Sequence, residues 1–70
     1  MKKDAKNNKE REKFVDEVNT LISFIDTLLH RLEIASISRV MFDISNKEVT
    51  QSSFKILEAR MWLQEDLKNL

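Results

Sequence analysis

The chain has 70 residues, enough for one small domain, with 41% hydrophobic and 34% charged residues and a formal net charge of zero. It contains no Gly, no Pro, no Cys and a single His, which excludes glycine-dependent phosphate loops, disulfide and zinc frameworks, thiol nucleophiles and most hydrolytic constellations. The class that remains is an all-α binding or assembly protein with no catalytic residues, no metal site and no cofactor.

The first thirteen residues, MKKDAKNNKEREK, carry six Lys/Arg and three Asp/Glu, a net charge of +3 that the remaining residues cancel. Residues 1–13 read as a basic arm or a frayed helix start, and residues 14–70 as one helical-hairpin domain. The arm has no interleaved aromatics, so a solubilising role outweighs an RNA grip through phosphates. Neither a membrane span nor the apolar core of a signal peptide is visible, and a soluble, cytoplasmic protein with no membrane or DNA partner is expected.

From Phe14 the pattern becomes regular. Phe14, Val18, Leu21, Ile25, Leu28 and Leu32 follow a 4-3-4-3-4 spacing that places them on one helical face, with Ile22 and Leu29 widening the stripe. Ile34, Ile37 and Met41 continue at helical spacing on roughly the opposite side. The first helix therefore either bends near Glu33 to Ser38 or continues and buries a second face against another subunit. His30 lies four residues after Asp26 and three before Glu33. Its order, His-x-x-Glu, is not the Glu-x-x-His of di-iron bundles, and the cluster reads as a solvated polar face.

A turn is expected around Asp43 to Ser45, because Ser45-Asn46-Lys47-Glu48 has the form of a capping box and Ile44 and Val49 have the spacing of a hydrophobic staple. The second helix then runs from Asn46 to about Lys68. Val49, Ile56, Ala59, Leu63, Leu67 and Leu70 form one stripe. Phe54, Leu57 and Met61 form a second, and Trp62 projects on the other side of the first. A two-helix hairpin covers only one stripe per helix, and so small a core rarely supplies more than ~3–5 kcal/mol, so both observations call for self-association.

The run Lys47-Glu48-Val49-Thr50, followed by Leu57-Glu58-Ala59-Arg60-Met61-Trp62-Leu63, resembles the C-terminal helix of a phage family of small helical-hairpin proteins. These are the cyclic-oligonucleotide sponges called anti-CBASS protein 2, which share a hairpin domain with the Thoeris anti-defence proteins. The resemblance implies an antiparallel hairpin in a homo-oligomer, typically a hexamer. It also implies pockets between protomers that sequester cyclic di- or trinucleotide messengers in the host cytoplasm without cleaving them. On that resemblance Phe14 or Phe24 stacks a base, Arg31, Arg39 and Lys47 contact phosphates, and Ser52, Ser53 and Arg60 add hydrogen bonds. Two departures stand out: Phe54 occupies the place of a mid-helix Thr, and the chain has no Tyr to stack a base. The alternative reading is a protein-interaction module whose second apolar stripe binds partner helices.

Overall fold

Without Gly or Pro, nothing in the first forty residues interrupts a helix. The structure, a computed structural model, describes residues 2–70, with side chains from residue 8 onward. It contains α1, Lys2–Met41, and α2, Lys47–Asn69, which fold back on each other as a hairpin. At 1.5 Å per residue α1 is about 60 Å long, which accounts for the 62 Å long axis of the molecule. Of the two alternatives left by the spacing at Glu33 to Ser38, the helix continues: α1 passes through that stretch as regular helix. The hydroxyls of Thr20 and Thr27 donate to the carbonyls of Asp16 and Ser23 one turn back, so they do not compete with the helix. Among the described residues no helix is long and apolar enough to cross a membrane.

Burial repeats as a heptad. Among the described residues the covered positions of α1 are Val15, Val18, Ile22, Ile25, Leu29, Leu32, Ser36 and Arg39, with Ala35 beside them, and those of α2 are Val49, Ser53, Ile56, Arg60, Leu63 and Leu67, with Thr50 beside them and Leu70 just past its end. Alternating steps of three and four are the seam of a coiled coil. Among the described residues only Val18 and Val49 are buried to below a tenth of their surface. The seam lies one column away from part of the stripe expected from spacing. Phe14, Leu21 and Leu28 stand on its exposed flank, because Val15, Ile22 and Leu29 point more directly at α2.

The chain reverses through a Schellman closure at the end of α1. Ile44 N–H donates to the Arg39 carbonyl at 2.7 Å, and Asp43 N–H donates to the Val40 carbonyl at 3.1 Å. This geometry needs a left-handed residue between them. In a chain without glycine Asp43 takes that place, at φ 58°. The closure displaces the expected capping box by one residue. Thr50 N–H donates to the Asn46 carbonyl, so Asn46 is the N-cap and α2 starts at Lys47. Ser45 Oγ accepts a long bond of 3.4 Å from Lys47 N–H rather than one from Glu48. The Asn46 side chain makes no cap; its Nδ2 donates instead to Ser36 Oγ on α1 at 2.9 Å. The expected staple loses its spacing with the same shift, and Ile44 is exposed.

Register is set midway along the seam, where Arg60 Nε donates to Asp26 Oδ1 at 2.7 Å. Each step back along α1 from Asp26 corresponds to one step forward along α2 from Arg60. The end of α2 therefore lies level with Glu17 and Asp16, and the part of α1 before them projects beyond it as a single helix. The consequence is an extended molecule. Its radius of gyration is 17.4 Å, against about 11 Å for a compact chain of this length. Its accessible surface is 6021 Å², against roughly 4,600 Å² for a compact monomer of 8.3 kDa.

Candidate functional site

Three of the eight candidate ligand-binding side chains are engaged within the chain. Ser52 Oγ donates to the Glu48 carbonyl at 2.9 Å, and Ser53 Oγ donates to the Val49 carbonyl at 3.1 Å. Arg60 occupies a seam position and is held by Asp26. The other five are in no ion pair or side-chain hydrogen bond among the described residues, and they are spread along α1 and the first residue of α2. Phe14 lies just beyond the end of α2, and Arg39 lies beside the turn, about 38 Å away along the helix. Phe24 and Arg31 share one helical column about 10 Å apart, and both are exposed. Arg39 is half-buried, and Lys47 is exposed at the first position of α2. A single chain does not bring the aromatics, the cations and the hydroxyls into one pocket.

Two concave features stand out among the described residues. One is a shallow dent of about 300 Å³ between Asn8, Arg11, Glu12, Val15 and Asp16. It is the ordinary groove of one helix where α1 projects past α2. The other is a larger open groove of about 440 Å³ between the helices near the turn, lined by Leu29, Glu33, Ser36, Ile37, Thr50, Ser53 and Leu57. Its walls are apolar with three hydroxyl groups, and its one charge is the Glu33 carboxylate. Ser53 has already given its hydroxyl proton to Val49, and Ser36 accepts from Asn46. With a carboxylate and no cation, the groove suits an apolar side chain and repels a phosphate.

The groove lies on the same side of the hairpin as Asp26, and the apolar surface continues along it. Counting 100° per residue from the seam, Phe54 and Met61 lie beside Leu57 on that side. These three residues, with Ile37, are exposed. They are the second stripe of α2 expected from the spacing, and the structure joins it to Ile37 of α1. Sequence reasoning missed the partner of Arg60. A cation at a seam position needs a carboxylate on the flanking column of the facing helix, and Asp26 was read only with His30 and Glu33. Among the described residues no three His, Asp or Glu side chains are arranged as metal ligands.

No family model, curated protein or solved structure matches this chain.

Proposed function

We propose that the chain is a non-catalytic helical interaction module that binds partner helices along the groove side of the hairpin. The observation that carries this reading is the continuous exposed stripe of Ile37, Phe54, Leu57 and Met61 beside an apolar groove. An amphipathic helix presents apolar side chains at i, i+3, i+4 and i+7, the pattern that fits a groove between two packed helices. The test uses a fluorescent amphipathic peptide with leucines at those positions, followed by anisotropy. Saturable binding to the wild type that is lost in Leu57→Lys, with circular dichroism unchanged, supports the reading. A folded wild type that does not bind, or equal binding by L57K, refutes it.

A second reading is sequestration of cyclic di- or trinucleotides, supported by the resemblance and by the cations at the start of α2. Arg39 and Lys47 lie beside a first helical turn whose Asn46 offers no side-chain cap, and free amides at a helix start favour an anion. Base stacking on Phe14 or Phe24 then has to come from a neighbouring protomer. A thermal-shift panel of cyclic and linear oligonucleotides tests it. A shift for cyclic compounds alone that disappears in Lys47→Glu supports the reading, and silence across the panel removes it.

A further inference from the structure

The side of the hairpin opposite the groove carries a pattern of its own. Counting from the seam, Leu21, Phe24 and Leu28 of α1 lie on that side with Ala59 and Trp62 of α2. The register set by Asp26 and Arg60 places Phe24 and Trp62 at the same level, two residues from the pair on each helix. They are 66% and 62% exposed. An apolar centre this open on both helices has nothing covering it among the described residues.

Within about two turns of helix on either side of that level, the charges of this face are sorted by sign. Towards the turn, Arg31 and Lys55 lie level with each other. Towards the open end, Glu17 and Asp66 lie within about two turns of helix from the Phe24–Trp62 level. None of the four forms an ion pair among the described residues. The face is therefore bipolar, with a positive end, an apolar middle and a negative end.

We propose that a second copy of this chain docks on this face, reversed end for end, to form an antiparallel four-helix bundle with Phe24 and Trp62 of both copies at its centre. Going beyond the groove-side reading, this inference assigns the opposite face. Two isologous pairings of such a face exist, and the charges choose between them. A twofold axis running across both helices places α1 on the partner's α1 and brings each positive end onto a negative end. A twofold axis parallel to the helices places α1 on the partner's α2 and leaves like charges in register. Only the first pairing neutralises all four residues. The area suffices as well. The chain exposes roughly 1,400 Å² more than a compact monomer, and a standard interface covers about 800 Å² per partner.

The test combines sedimentation equilibrium with crosslinking. The wild type is expected to associate in units of two. Glu17→Arg or Arg31→Glu alone places like charges opposite each other twice per dimer, and should weaken association about tenfold. The double variant E17R/R31E should recover it. Mixing Glu17→Cys and Arg31→Cys chains, in a background free of other cysteines, should give the mixed disulfide in preference to either self-linked product. A monomeric wild type, single variants that associate like the wild type, a double variant that does not recover, or self-linked products in excess would each overturn the pairing. Unaffected peptide binding in the groove alongside any of these results leaves the proposed function standing.

Discussion

Replacing Asp43 by Gly should make the hairpin more stable, although glycine is ordinarily a poor choice beside a helix. Asp43 sits at φ 58° between the two hydrogen bonds that close α1. A left-handed residue with a Cβ costs about 1 kcal/mol relative to Gly, somewhat less for Asp. The carboxylate also stands at a helix C-terminus, where a negative charge is unfavourable by about 0.3 kcal/mol. Against these, Gly adds about 0.6 kcal/mol of unfolded-chain entropy. The net gain is at most about 0.7 kcal/mol, which corresponds to no more than about 3–6 °C in a domain of this size. Thermal melts by far-ultraviolet circular dichroism at one fixed chain concentration measure it, since association would otherwise move the midpoint. Asp43→Val is the companion variant and should lower stability by about 1–2 kcal/mol, because a β-branched residue tolerates positive φ least. A D43G midpoint at or below the wild type, with D43V unchanged, would refute the assignment of the turn.

Two further outcomes follow from the seam. Val18→Ala, at a position 6% exposed, should cost about 2 kcal/mol in the thermal melt, whereas Met41→Ala, 76% exposed, should stay within about 0.5 kcal/mol; equal losses would mean that the seam is misplaced. Deleting residues 2–13 removes helix that projects beyond α2, so total helicity should fall while the midpoint moves by no more than about 0.5 kcal/mol equivalent. A collapse of the midpoint on that deletion would show that the segment is packed against something.

Both helices and the turn between them were legible from apolar spacing and from the polar cluster around Ser45. The seam was legible only in part. The apolar arc of α1 is three columns wide, so Phe14, Leu21 and Leu28 satisfy the same 4-3 steps as Val15, Ile22 and Leu29. Periodicity cannot say which pair of columns meets the other helix; the facing surface decides. The capping box failed for a related reason. Ser45 and Glu48 are well spaced, but the Ile44 amide reaches back to Arg39 and holds the chain one residue longer in the turn. In a sequence without glycine nothing marked Asp43 as the left-handed residue. Of the candidate site residues, Arg60 falls four residues after Ile56 and three before Leu63, so its seam position follows from spacing, while its bond to Asp26 depends on a register that no single helix encodes. Phe14, Phe24, Arg31, Arg39 and Lys47 were grouped by chemistry, and the length of α1 keeps them apart within one chain.

The seam is also uneven along its length. Near the turn Val49 is surrounded by the polar Ser36, Arg39, Asn46 and Ser53, while the apolar Val15, Val18, Ile22, Leu63, Leu67 and Leu70 gather at the far end. A hairpin is tethered covalently at one end and breathes from the other. Here the apolar grip lies where the tether is weakest, and the polar positions lie where the connection already keeps the helices close. Opening at either end is opposed by a different force. Amide exchange should therefore be quickest in the lone projecting helix, with the two ends of the paired region protected to a similar degree.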